Sequence, residues 1–216
     1  PSAGKSTQEA LRRERDKWDL LVSQNRHSTE IFKTAYEWTD GIVEEGYPRN
    51  DLMLTGDRQA VRRFLGIQDD QVAVLYAPTW RDNVEGLVTF LDLEKLTADL
   101  GPGYVILLRG HSRIMGQSSS VEIPGVIDVT THPNITELFL AADAMVTDYS
   151  SVMFDFSVTG RPMIFFVPDM DDYRDSVRGV YFDLSEVAPG PVVATQDEVR
   201  EAILSMDEDA PRYADC

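Results

Sequence analysis

The sequence predicts an α/β fold, a Rossmann-like doubly wound parallel sheet, and three observations predict it. Apolar runs at 71–78, 104–110, 126–129, 144–148 and 162–167 are continuous rather than alternating, as strands buried on both faces are. Segments with helical patterning separate most of them, as parallel crossovers require. Polar or ionisable residues come directly after each run, which is where such sheets bind ligands.

In chain order, "STQEALRRERD" (6–16) reads as a charged helix and "WDLLVSQ" (18–24) as a short buried strand. "STEIFKTAYEW" (28–38) reads as a helix capped by Ser28, with Glu30 in its first turn. Gly46 and Pro48 mark "EEGYPRND" (44–51) as a turn. The chain thus divides into a helical linking segment, 1–50, and a Rossmann-like domain, 51–216. In that domain "DRQAVRRFLG" (57–66) is a helix ending at Gly66 and leads to the strand "QVAVLYAP" (71–78). The helix "FLDLEKLTADLG" (90–101) leads to the strand "YVILLRG" (104–110), and the strand "VIDV" (126–129) to the helix "NITELFLAA" (134–142). "AMVTD" (144–148), "SVMFDFSVTG" (151–160) and "PMIFFV" (162–167) give strand, helix, strand, and the Thr-capped helix "TQDEVREAILSM" (195–206) closes the pattern.

The chain of 216 residues is 43% hydrophobic and 26% charged, enough for one large domain or two small ones with a real core. It starts at Pro1 and stops at "RYADC", and reads as a fragment of a longer protein. Its net charge of −17 argues against a nucleic-acid binder or a coat on an anionic membrane. One cysteine, Cys216, excludes an internal disulfide and suits a reducing compartment. No apolar run approaches the roughly 20 residues that cross a bilayer, and no signal peptide is visible. The expectation is a cytoplasmic chain, peripheral on the inner face of the cell membrane only through segments outside these residues.

The segment "VTDYSSVMFDF" holds the strongest site. The chain leaves a strand at Val146, turns through Thr147, Asp148 and Tyr149, and enters a helix near Ser150 and Ser151. The first amides of a helix have no partners within it, and with two hydroxyls they can hold phosphate oxygens. Asp155, four residues after Ser151, shares its helical face and can accept from the vicinal hydroxyls of a ribose. The pattern points to a phosphorylated nucleotide. His111 comes after a buried strand, between Arg109 and Arg113, placed to hydrogen-bond a phosphate or to move a proton near neutral pH. Arg109 offers a planar fork that suits phosphate.

Other polar clusters carry less. His27 and His132 fall in a loop and a turn, and "PSAGKST" lacks the first glycine and the preceding strand of a phosphate loop. "PDMDDYRD", with Asp169, Asp171 and Asp172, has neither histidines nor a calcium-loop pattern, so no metal or other cofactor is expected.

"GYPRND", "YAPTWRDN", "RGHSRI", "NITELFLAADAMVTDYSSVMFDFSVTGRPMIFF" and "DYRDSVRGVYFD" together resemble the CDP-glycerol glycerophosphotransferases, over about residues 18–206. These enzymes prime or polymerise the polyol-phosphate chains of teichoic acids. The resemblance implies the C-terminal, donor-binding half of a GT-B fold. It implies a CDP-glycerol or CDP-ribitol donor, a polyol-phosphate or lipid-linked acceptor, and release of CMP. It places His111 by the diphosphate and the leaving CMP, Thr79 and Arg81 beside the donor, and Ser150 and Ser151 on its phosphates. Thr147 and Asp148, in the most specific block, count with Arg109 and Asp155 among the substrate-binding residues. The family's second histidine, in an "HGTP"-like motif, is absent from these residues, so the resemblance implies donor binding more than transfer by this chain alone. Two other readings remain open at this level: a GT-B glycosyltransferase using a nucleotide-sugar, and a non-catalytic binding domain.

Overall fold

A computed structural model describes residues 5–79, 90–110, 123–169 and 184–209 of the chain, which forms two units, Pro1–Asp51 and Leu52–Cys216. In the first, helix α1 (Lys5–Arg15) precedes strand β1 (Leu21–Ser23), and helix α2 (Arg26–Ala35) precedes strand β2 (Ile42–Glu44). The two strands pair in parallel, Val22 level with Val43. Asn25, not Ser28, caps α2: its side-chain oxygen accepts the Ser28 amide at 2.9 Å, so the helix starts before the predicted position. β2 has no periodic signal in the sequence, being three residues between Gly41 and Gly46. The side chains of Ser23 and Thr29 are buried and bond each other at 2.6 Å, and Thr29 also donates to Glu44 at 2.7 Å. This ties α2 to both strands.

The predicted turn at 44–51 contains a 3-10 turn, Pro48–Asn50, that runs into helix α3 (Asp51–Thr55). The second unit continues with α4 (Arg58–Leu65), β3 (Val72–Ala77), α5 (Leu93–Leu100), β4 (Tyr104–Leu108), β5 (Val126–Asp128) and α6 (Ile135–Ala141). β6 (Ala144–Thr147), α7 (Val152–Phe156), β7 (Met163–Phe166), α8 (Leu184–Val187), β8 (Val192–Val193) and α9 (Gln196–Asp209) complete it. Local chemistry sets the ends of these elements. Asp57 caps α4 by accepting the Ala60 amide at 2.9 Å, and Gly66 closes it at φ 80°, a left-handed conformation that glycine adopts without strain. Thr195 and Glu198 form a reciprocal cap at the start of α9, the Thr195 hydroxyl donating to Glu198 at 2.8 Å.

β3 to β8 form one sheet in the order β5-β4-β3-β6-β7-β8, with every pairing parallel. Successive residues of β3 face opposite sides, and both sides are covered. Ala73 and Leu75 join Leu107, Met145, Phe165, Leu138, Phe139 and Phe156 in one core. Val74 and Tyr76 join Ile106, Val146, Ile164, Leu96, Val199 and Ile203 in the other. Thus α6 and α7 cover one face, and α5 and α9 the other. Burial on both faces is why the strands read as continuous apolar runs, and each such side chain contributes about 1.5–3 kcal/mol.

One charged network lies beside this core. Asp143, just before β6, accepts the Ala73 amide at 2.8 Å and Arg62 at 2.9 Å, and also pairs with Arg58. Arg58, Arg62 and Arg161 all donate to carbonyls at the C-terminal end of α6, among them Leu140, Ala141 and Ala142. These carbonyls have no partners within the helix and carry its negative end. Burial pushes the Asp143 carboxyl up, but the Ala73 amide and the two guanidiniums outweigh it and hold the group below the usual carboxylate range. Among the described residues no helix is long and apolar enough to cross a membrane.

Candidate functional site

The sheet order marks a candidate site. From β3 the chain steps outward through β4 to β5, then returns to the other side of β3 for β6, β7 and β8. The order reverses between β3 and β6, and in open parallel sheets a crevice opens beyond the carboxyl ends of the strands at that point. Ala77 is level with Thr147, so both strands leave the sheet at the same height. Beyond that level the chain continues with Pro78 and Thr79 after β3, and with Asp148, Tyr149, Ser150 and Ser151 after β6. The switch point therefore coincides with the residues that the sequence singles out.

Thr79 and Asp148 meet there. The Thr79 amide donates to both carboxylate oxygens of Asp148, at 2.9 and 3.0 Å, and its hydroxyl donates to the same group. Asp148 is only 3% exposed. Thr147 is 1% exposed and its hydroxyl donates to the Ala77 carbonyl at 2.8 Å. Both side chains thus engage the end of β3.

Ser150 is half-buried and Ser151 exposed at the rim just beyond. Ser151 precedes α7 with φ −62° and ψ −10° and makes no side-chain capping bond. The predicted helix over 151–160 is shorter than expected: α7 has five residues and passes into a 3-10 turn, Ser157–Thr159. The hydroxyls of Ser157 and Thr159 bond back to the Phe154 and Phe156 carbonyls, and Gly160 ends the segment at φ 63°. So short a helix has little dipole to offer, and the Met153 and Phe154 amides of its first turn already donate to the Ser150 and Ser151 carbonyls, at 3.3 and 3.2 Å, which leaves the serine hydroxyls as the main polar groups of this rim. Asp155 is half-buried on α7, as predicted one turn past Ser151.

Arg109, expected beside a phosphate, makes contacts within the chain. One terminal nitrogen of its guanidinium donates to the carbonyls of Val129, Thr130 and His132, at 2.7, 2.8 and 2.6 Å. The Gly110 amide donates to the Thr130 hydroxyl at 2.9 Å, so the end of β4 and the loop after β5 are bound together. Burial pulls the Arg109 pKa down, while Asp128 favours its charged form. His132 in the same loop bonds Glu137 at 2.7 Å. His111 and Arg81 lie outside the described residues, as do Asp171 and Asp172. Among the described residues no group of three or more His, Cys, Asp or Glu side chains is placed to hold a metal ion.

Sequence reasoning missed the Asp143–arginine network. Its one signal was an acid directly before the apolar run of β6, and its partners are spread over 58–161.

The comparisons with known proteins bear on this geometry. The family CDP-Glycerol:Poly(glycerophosphate) glycerophosphotransferase matches residues 1–216. The chain belongs to this family. A teichoic acid poly(glycerol phosphate) polymerase of Bacillus spizizenii is 42% identical over 202 residues, covering 88% of this chain and 51% of the polymerase. A teichoic acid glycerol-phosphate transferase of Staphylococcus aureus is 41% identical over 218 residues, covering 95% of this chain and 56% of the transferase. Among solved structures, a variant of the wall teichoic acid polymerase TagF soaked with CDPG superposes with a TM-score of 0.84 at 36% identity, over 99% of this chain and 54% of that one. The chain therefore spans about half the length of these relatives. The α/β fold with a six-stranded parallel sheet is that of the GT-B-like polymerase.

Proposed function

We propose that this chain is the donor-binding part of a transferase that moves glycerol phosphate from CDP-glycerol to the end of a polyol-phosphate chain, with release of CMP. One observation carries this reading: in a member of the glycerophosphotransferase family, the sheet's switch point and the Thr-Asp-Tyr-Ser-Ser block fall at the same place. In the proposed complex the donor lies across the ends of β3 and β6. Ser150 and Ser151 donate to its diphosphate, and Asp155 accepts from the ribose hydroxyls. By the resemblance to the family, His111 is the residue assigned to the diphosphate and the leaving CMP.

The reaction needs charge neutralisation more than covalent help. A hydroxyl oxygen of the acceptor attacks the phosphorus that carries glycerol, the bond from that phosphorus to the CMP oxygen breaks, and CMP departs with the electron pair. The acceptor proton passes to a base or to solvent. Hydrogen bonds to the diphosphate strengthen as charge gathers on the leaving phosphate, and a protonated His111 supplies one of them. The acceptor and any membrane contact belong to the whole protein under the same proposal.

Calorimetric titration with CDP-glycerol, CMP, UDP-glucose and GDP tests it. Cytidine-selective binding that is lost in Asp155→Ala supports the reading. Binding of UDP-glucose in preference to CDP-glycerol would replace it with a nucleotide-sugar transferase.

A further inference from the structure

Pro78 interrupts the sheet where β3 ends, because proline has no amide to give to a neighbouring strand. The ladder between β3 and β6 stops at the pair Ala77 and Thr147, and side chains at the end of β6 take over. The Thr147 hydroxyl satisfies the Ala77 carbonyl, and the Asp148 carboxylate satisfies the amide and hydroxyl of Thr79. Side chains so buried, at 1% and 3% exposure, present almost no surface to a ligand.

We infer that Thr147 and Asp148 are positioning residues: they fix the chain as it leaves β3 and act on the donor through Thr79, without touching it. The inference rests on the reading of the switch point as the donor site. A carboxylate suits this work because its two oxygens can accept an amide and a hydroxyl at once, and so hold the residue that follows Pro78, which has no amide to donate. An amide in its place keeps the shape but halves the accepting capacity.

The test compares Asp148→Asn, Thr79→Val, their double variant and Thr79→Ser in the full chain. Three readouts are needed: CDP-glycerol affinity by calorimetry, thermal unfolding, and hydrogen exchange of the residue-79 amide. The loss of one such interaction corresponds to about tenfold in affinity. The expected result is an affinity loss of about that size in each single variant, no further loss in the double variant, and recovery of most of the affinity in Thr79→Ser. The residue-79 amide exchanges faster in Asp148→Asn. Losses that multiply in the double variant would overturn the inference, since each residue would then reach the donor by itself. An unchanged affinity with a lower melting temperature would overturn it too, leaving the contact purely structural. If the parent chain does not bind CDP-glycerol, the donor reading fails, and exchange alone decides the positioning: unchanged protection of the Thr79 amide in Asp148→Asn would refute it. Should Asp148→Asn not fold, Asp148→Glu, which keeps the carboxylate but displaces it from the Thr79 amide, takes its place in every comparison.

Discussion

Replacing Asp143 by alanine removes the acceptor of the Ala73 amide and the counter-charge of Arg58 and Arg62 in one step. An amide left unsatisfied at the start of a buried strand costs about 1–3 kcal/mol. Removing one partner of a fully buried ion pair costs about 3–5 kcal/mol. Here the second contribution is smaller, because Arg62 keeps the carbonyls of Ala141, Gln68 and Gln71. The Asp143 side chain is also 29% exposed, which screens the pair. The total comes to about 3 kcal/mol, or roughly 6–12 °C in melting temperature for a chain of this size. Asp143→Asn, which keeps one acceptor oxygen, should lose about half as much. The pH dependence comes from the direction of the shift. Since the folded carboxyl titrates below its unfolded value of about 3.9, its contribution is complete above that pH and is lost as the pH falls through the folded value. Thermal unfolding of parent and Asp143→Ala from pH 7 to pH 3 should therefore show a wide gap that begins to narrow below about pH 4. A gap under about 2 °C at pH 7, or one that persists unchanged to pH 3, would refute the reasoning.

Other consequences can be checked with the same assays. A Cβ on residue 190 would stand 1.9 Å from the Met163 carbonyl oxygen, so Gly190→Ala must move β7 or β8 and should cost about 2–3 kcal/mol by denaturant unfolding. Arg109→Met leaves the Val129, Thr130 and His132 carbonyls without their shared donor and should lose about 2–3 kcal/mol. Arg109→Lys, which retains charge and three donors, should lose clearly less, and equal losses would show that the reach and planar shape of the guanidinium, not its charge, hold that loop. The double variant Ser150→Ala, Ser151→Ala should weaken CDP-glycerol binding by about 100-fold or more, since each hydrogen bond to a charged group contributes about 1.5–3 kcal/mol. Unaltered affinity would place the diphosphate elsewhere.

How far the sequence discloses this structure depends on the range of the interactions involved. β3, β4, β6 and β7 are visible because burial on both faces makes each an unbroken apolar run. β8 is not, because two residues carry no pattern. α7 is overestimated for a local reason, the hydroxyls of Ser157 and Thr159 turning back on the chain. The helix predicted over 195–206 runs on to Asp209. At the site, the sequence presents Thr147, Asp148 and Arg109 as polar groups after strands, and it gives no hint of what they meet. Asp148 meets Thr79, 69 residues earlier, and Arg109 meets carbonyls 20 to 23 residues later. Composition around a strand end marks a candidate site, whereas what each residue bonds there is set by long-range pairing.

The central claim, that CDP-glycerol binds at the switch point between β3 and β6, is tested most directly by a crystal structure of this chain grown with CDP-glycerol. The account predicts a donor over the ends of those two strands, its diphosphate within hydrogen-bond reach of Ser150 and Ser151 and its ribose on Asp155. A donor bound anywhere else, or with its ribose away from Asp155, would contradict it.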